Sequence, residues 1–381
     1  MRPSLTAVLG VACCVAAGSC TNRPTPRDFQ RSGPVAEGHR PRGLYGEAAP
    51  VVPPRGAGDA AVGSGTVEGR VDVLPPEGAA ALAGEPRSLP AFAGESGAPI
   101  GWGELLSRAA QSDVVILGET HGDAAGQRFL EEFWKDLLTQ APAAWLSLEF
   151  FERDQQTAID DYLAGVTNEV EFRASTRRSS DNFPAGHRAM LEEARRLGRP
   201  VIASNAPRRY ARLARTAGFD RLWSLGPDQQ KSFVVPGALT EGRYREEFER
   251  EMRPGLEAGA HAASERADAA DAARAGDVSA SAPEPSDTNA KLEGYYRAQN
   301  LWDATMADSL ARPVLAGARP VVHVVGRFHS DFGGGLVERL RAAAPGVRIL
   351  TVSMVAEAPA GGNTMLAPDV GRADVVVYLK P

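Results

Sequence analysis

From Ser88 to Pro381 the chain repeats one pattern, a short run of apolar and mostly β-branched residues followed by a longer stretch with helical periodicity. The runs are 113–117 "DVVIL", 144–149 "AWLSLE", 200–204 "PVIAS", 320–325 "PVVHVV", 347–353 "VRILTVS" and 374–379 "DVVVYL". Strands covered on both faces read as continuous apolar runs, since neither face meets water. Between the first two, Phe129, Leu130, Phe133, Trp134, Leu137 and Leu138 recur at i+3/i+4 within 124–138 and make one apolar helix face. Further helices are expected at 154–163, 184–197, 206–216, 240–252, 291–311 and 334–343. Parallel strands need crossover connections, so the alternation predicts an α/β fold: a mostly parallel sheet with helices on both faces, one compact domain over 88–381.

The 43% of hydrophobic residues is ample for such a core. Net charge is −6 with the two signs interspersed, so no basic face marks a nucleic-acid partner. Two stretches stand outside the pattern. Residues 21–65 are rich in Pro, Gly and Arg and read as a disordered tether, with His39 solvated in it. "TVEGRVDVL", residues 66–74, is compatible with a short strand. From Glu257 to Ala290 the only branched aliphatic residue is Val278 and no aromatic occurs, which predicts a disordered or loosely helical insertion carrying a solvated His261.

The first twenty residues are different in kind. Arg2 makes a short positive start, Leu5 to Ala17 is apolar but too short to span a bilayer, and "AGSC" closes the segment. This predicts a signal peptide over 1–19 and, with small residues directly before Cys20, a bacterial lipobox whose cysteine is acylated. Ala17 stands where such motifs usually carry leucine. Cys13 and Cys14 fall inside the segment to be removed, which leaves Cys20 as the one remaining cysteine and a lipid anchor as its use. The expected location is the outer membrane, facing the periplasm, with 20–65 as the linker.

The six histidines are unevenly spent. "VVILGETHGD" (114–123) and "VVHVVGRFHSD" (321–331) place Gly118, His121, Asp123 and Gly326, His329, Asp331 in the same G-x-x-H-x-D frame. Chance would give roughly 0.03 such frames, and both lie directly after a predicted strand. Ligands of open α/β sheets bind outside the carboxyl ends of the strands. Polar residues at those ends are Glu119 and His121, Glu149, Asn205 and His329, which are expected to converge. Gly118 and Gly326 would make the tight turns that carry the histidines over the edge.

Two imidazoles and two carboxylates, His121, His329, Glu119 and Glu149, suit a divalent transition metal such as Zn, Mn or Fe(II), with Asp123 and Asp331 orienting the rings. They equally suit acid/base work on an organic ligand, and the two aspartates equally suit helix N-caps. His323 lies inside a strand and reads as a core residue; His187 in "NFPAGHRAM" starts a helix and reads either way. Arg208 and Arg209, after Pro207, are placed to pair with a ligand's carboxylates or simply to face solvent. No G-x-x-x-x-G-K-[ST], G-x-S-x-G or H-E-x-x-H occurs, which disfavours a P-loop NTPase, an ordinary α/β-hydrolase and a zincin.

Taken in order, "DVVILGETHGD", "WLSLEFFERDQQTAIDDYLAG", "VIASNAPRRYARLAR", "YYRAQNLWDATMADSLA" and "VVHVVGRFHSDFGGGLVERL" resemble the ChaN-like family of bacterial haem-binding uptake lipoproteins, in the wider Tiki superfamily. The likeness runs from about Leu89 to Leu379. It implies a lipid-anchored α/β domain that binds haem or an iron compound during uptake, with His121, His329, Asn205 and Arg208 as candidate ligand contacts. An outer-membrane receptor and a homodimer are the protein partners it would suggest. In Tiki-type relatives the paired G-x-x-H motifs and glutamates form a metal-dependent hydrolytic site, which would give Glu119 or Glu149 the role of base. The chain departs from the family in its 257–290 insertion and in "NFPAGHRAM", where many relatives carry a tyrosine. The resemblance assigns no single residue as axial haem ligand.

Overall fold

Buried β-branched runs become the strands β1 (Ala91–Ala93), β2 (Val114–Glu119), β3 (Trp145–Glu152), β4 (Val201–Asn205), β5 (Val321–Gly326), β6 (Ile349–Val355) and β7 (Val375–Tyr378). The computed structural model describes residues 86–179, 182–272, 285–357 and 364–380, and side chains over 259–287 are not among them. The strands form one sheet in the order β1-β7-β6-β2-β5-β3-β4. Only β1 runs antiparallel, against β7; every other pair is parallel. The helices are α1 (Trp102–Gln111), α2 (Ala124–Gln140), α3 (Gln156–Leu163), α4 (Glu169–Thr176), α5 (Ala185–Arg196), α6 (Arg208–Trp223), α7 (Pro227–Gln230), α8 (Arg243–Ala272), α9 (Pro285–Leu315) and α10 (Leu336–Ala343).

The expected α/β class is what the chain adopts, and the alternation of side chains across the sheet shows why both faces are dry. Val115, Leu117, Leu146, Leu148, Val322 and Val324 point to one side and pack with Phe129, Phe133 and Trp134 of α2 and Met190 and Leu191 of α5. Val114, Ile116, Val321 and Val325 point to the other and meet Met306, Leu310 and Val314 of α9 and Leu336, Val337 and Leu340 of α10. Every residue of β2 and β5 is buried. β1 is too short to show periodicity in sequence. α1, likewise unexpected, buries only Leu105, Leu106 and Ala109.

The open edge at β4 is closed by one side chain. The Gln156 amide donates to the Val201 carbonyl (2.8 Å) and its oxygen accepts the Ala203 N–H (2.7 Å), taking the place of a neighbouring strand. Of the stretch 257–290, the backbone is helical over 257–272, as the continuation of α8, and over 285–290, as the start of α9. Alanine has the highest helix propensity, so an Ala-rich segment extends a helix that packing has already nucleated. That nucleus is the contact of Tyr244 and Phe248 with Leu292 and Tyr296. Residues 273–284, the N-terminal segment with Cys20, the tether and 66–74 lie outside the described residues.

Candidate functional site

Parallel register decides which side chains can meet. Glu119 is paired with Gly326, so β2 and β5 end level and their following loops leave the sheet side by side. Neither glycine makes the tight turn expected of it: Gly118 lies within β2 and Gly326 ends β5, both with negative φ, and what they supply is room. A Cβ on Gly118 would stand 2.9 Å from the Arg327 Cα, and one on Gly326 would stand 2.9 Å from His121 Nε2. β3 loses regular register between Leu148 and Glu152, and in that irregular turn Glu149 reaches across to accept the Gly326 N–H at 2.7 Å.

His121 and His329 thus share one end of the sheet, as expected, but they are not equivalent. The His121 ring has half its surface exposed, and its Nδ1 lies 2.9 Å from Glu119 Oε1. Glu119 is buried, at 2% exposure. Its other oxygen accepts from Gln127 Nε2 at 2.7 Å and from His187 Nε2 at 3.0 Å. Burial alone would raise the Glu119 carboxyl; His187 and His121 outweigh it and bring it down to about 2. An anionic Oε1 accepts a hydrogen bond from Nδ1–H, so a neutral His121 keeps its lone pair on Nε2, the nitrogen on the side of Gly326. The Glu119 contact also raises His121 above the ordinary histidine value, against desolvation, with Glu149 adding to the rise.

His329 is 6% exposed, and both its nitrogens face carboxylates: Nδ1 is 2.5 Å from Asp303 Oδ1 and Nε2 is 3.5 Å from Glu149 Oε1. Desolvation would favour the neutral ring, but Asp303 and Glu149 override it and push His329 up to about 10, an imidazolium at neutral pH. Glu149 is held well below the usual carboxylate range, its burial outweighed by His329 and His121. Asp303 also accepts from the Tyr244 hydroxyl at 2.7 Å, and Gln299 donates to that hydroxyl at 3.0 Å. Burial, with the Asp303 charge, raises Tyr244 well above the ordinary phenol value.

Several sequence expectations are corrected by this geometry. Glu119, Glu149, His121 and His329 do come together, yet not as a metal centre. Three of the four are engaged with neighbouring side chains, and no group of three or more His, Cys, Asp or Glu side chains among the described residues is arranged to hold a metal ion. Asp123 and Asp331 do not orient the rings: Asp123 caps α2, accepting the Ala125 and Gly126 N–H groups, and Asp331 is buried against Arg327, Arg372 and Ser353. Asn205 Oδ1 accepts the Ala206 N–H, and Arg208 points to Glu152 at 3.9 Å; neither lines the pocket described below. Arg209 pairs with Asp154. His323 is a core residue, its Nδ1 3.0 Å from Ser147 Oγ and its ring held neutral by burial, down to about 4.

Sequence reasoning left His187 undecided and missed Asp303, Tyr244, Gln299 and Gln127. The signal for two of them was present: Gln299 and Asp303 stand one turn apart on the otherwise apolar face of α9, a polar pair where core residues should be.

Above the cluster lies a cavity of about 320 Å³. One wall is α8, with Tyr244, Glu247, Arg250 and Glu251; the others are the loops after β2 and β5, with His121, Gly326, Arg327, Phe328, His329 and Phe332, closed by Gln299 and Arg372. Phe332 holds a left-handed backbone, φ 60°, and its ring lies between the guanidinium groups of Arg243 (3.5 Å) and Arg372 (4.8 Å). Such strain persists only where surroundings impose it. The cavity is at the small end of ligand sites and combines aromatic faces, cations and one accessible imidazole nitrogen.

Comparison with known proteins follows the same lines. The family model described as "Haem-binding uptake, Tiki superfamily, ChaN" matches residues 105–340, more than half of the chain. Among solved structures, ChaN of Campylobacter jejuni, described by its cofacial haem binding, superposes with a TM-score of 0.54 at 12% identity, over 76% of this chain and 96% of that one. The type III effector HopBA1, also 12% identical, covers 77% and 97% with a TM-score of only 0.39, too low to carry an argument. No curated protein matches the chain. The family match over 105–340 spans both G-x-x-H frames, the α8–α9 wall and the strands that present them, and on it the chain belongs to the haem-binding uptake family of the Tiki superfamily, the ChaN family.

Proposed function

We propose that the protein binds haem for uptake in the pocket above β2 and β5, with His121 Nε2 as the protein's ligand to the iron. The observation that carries this is the state of His121: a half-exposed imidazole whose Nδ1 is committed to an anionic Glu119, the arrangement in which histidine donates to a metal from its other nitrogen. The surroundings fit. Phe328 lines the pocket as an aromatic surface, and Arg250 and Arg327, paired with Glu247 and Asp331, are the cations a propionate would meet there. Gly326, lacking a side chain, leaves the approach to Nε2 clear. Haem would supply the iron, and the chain would hold it through the His121 imidazole nitrogen and the aromatic and cationic lining of the pocket. A cavity of about 320 Å³ takes one face or edge of a macrocycle and leaves the rest uncovered, which suits the cofacial binding described for the Campylobacter protein.

The test is a haem titration followed at the Soret band. Wild type should bind stoichiometrically, and His121→Ala should lose most of the affinity and shift the band. His329→Gln should keep the band position, because that ring is not a ligand. An unchanged spectrum in His121→Ala would overturn the assignment. A metal-dependent hydrolase would need an open set of ligands, and none is arranged among the described residues.

We further propose that Cys20 is lipidated and that the domain hangs from the outer membrane on the 20–65 tether, facing the periplasm. Support comes from the "AGSC" signal and from the lack of any other cysteine beyond the signal segment. No helix among the described residues is long and apolar enough to cross a membrane. Cys20→Ala should abolish acyl labelling and detergent-phase partitioning; partitioning that survives would refute the anchor.

A further inference from the structure

Glu119 is bonded by two side chains besides His121, and these are fixed with unusual care. Gln127 on α2 could present either end of its amide to the carboxylate, but the N–H of Gly186 takes its oxygen at 3.0 Å, so the amide nitrogen faces Glu119. Gly186 is the second residue of α5, and a Cβ there would stand 2.3 Å from the Gln127 carbonyl oxygen, so the close docking of α5 on α2 requires glycine. One residue further on, His187 brings Nε2 to 3.0 Å from the oxygen that Gln127 already holds. Its ring is 3% exposed and meets the Phe150 ring edge-on at 5.4 Å, while its Nδ1 has no partner among the described residues. A buried imidazole with one nitrogen unsatisfied and the other on a carboxylate is costly as mere filling. The N–H must be on Nε2, since an anionic Glu119 accepts and does not donate.

We infer that His187 is a positioning residue for the ligand: with Gln127 it pins Oε2 of Glu119, so that Oε1 alone addresses His121 and holds that ring as the Nδ1–H tautomer with Nε2 directed at the pocket. Glu119 then has two pinned donors on one oxygen and one task on the other. Without His187 the buried carboxylate has fewer donors, rotates more freely and shares its proton with Nδ1, and His121 loses a single orientation. Being buried, His187 cannot itself reach a ligand. The inference rests on the proposal that His121 is the haem ligand.

The test uses the mature protein without haem and then with it. ¹⁵N spectra of the imidazoles, taken at a pH where His121 is neutral, should show a single Nδ1–H tautomer for His121 in wild type. His187→Phe, which keeps the ring packed on Phe150 but removes the donor, should give a mixture of tautomers and weaken haem binding on the order of 10–100-fold. His187→Gln, whose amide can donate from a similar place, should restore both. His187→Phe with wild-type tautomer and affinity would overturn the inference while leaving the ligand assignment standing, whereas an Nε2–H tautomer in wild type would overturn both. A His121→Ala protein with unaltered haem spectrum would remove the ligand assignment, and this inference with it. Wild-type spectra alone decide the first point should His187→Phe fail to fold.

Discussion

The buried pair around His329 makes stability depend on pH in the alkaline direction. The ring titrates near 6.5 when unfolded and is pushed up to about 10 in the folded chain by Asp303 and Glu149, against desolvation. A folded value above the unfolded one means stability that is fully present below about pH 6.5 and is lost as pH rises through about 10. At about 1.4 kcal/mol per pH unit, the span sets a ceiling of roughly 5 kcal/mol, and relaxation of the two carboxylates once the proton leaves brings the observable part to a few kcal/mol. No discount for solvent is needed, since Asp303 is fully buried and His329 nearly so. Other groups titrate in the same window, so the measurement is a difference: urea unfolding of wild type and of His329→Gln, compared from about pH 6 to about pH 10. Gln keeps a donor but cannot titrate. The wild-type advantage should shrink steadily across the window. A constant gap would refute the imidazolium.

Gly326→Ala should leave the fold intact but lower haem affinity at least tenfold in a Soret titration, because its Cβ would stand 2.9 Å from His121 Nε2; unchanged affinity would mean the ring does not use that approach. Asp331→Asn should cost about 1–3 kcal/mol in chemical denaturation, since Arg372 loses one of its two carboxylate partners and keeps Asp369. Phe133→Ala, a fully buried ring between α2 and the sheet, should cost about 3–5 kcal/mol by the same measurement. Gln156→Leu should cost about 1–3 kcal/mol and increase aggregation on heating, as the β4 edge loses its side-chain partner.

What could be read from sequence follows from range. The strands were legible to within a few residues, because continuous burial writes β-branched runs that no other environment demands; Val114–Leu117 and Val321–Val325 are such runs. The meeting of His121 with His329 was legible too, since strand-end placement in a parallel sheet is nearly a coordinate. β1 was not, because Ala91–Ala93 is only three residues long. The far end of α8 was not, because helix there is propagated from a packed start rather than announced by an apolar stripe.

The chemistry of the two histidines depended on partners that no local pattern names. Identical G-x-x-H-x-D frames predict identical rings, but each ring takes its character from the carboxylates that surround it. His121 has Glu119 two residues away on its own strand end, bonded to Nδ1, with Glu149 as a more distant charge and half of the ring open to solvent. His329 meets Asp303 from α9, 26 residues earlier in sequence, and Glu149 from β3, one on each nitrogen, and so is locked as a cation. One extra carboxylate turns a metal donor into a counter-ion. The aspartates at the ends of the two frames diverge for the same reason: Asp123 begins a helix and is consumed as its cap, whereas Asp331 precedes a strained Phe332 and is consumed by Arg372. A repeated motif therefore fixes where two side chains emerge, and the long-range neighbours decide what each one does; in this site the asymmetry is what leaves a single nitrogen, His121 Nε2, facing the pocket.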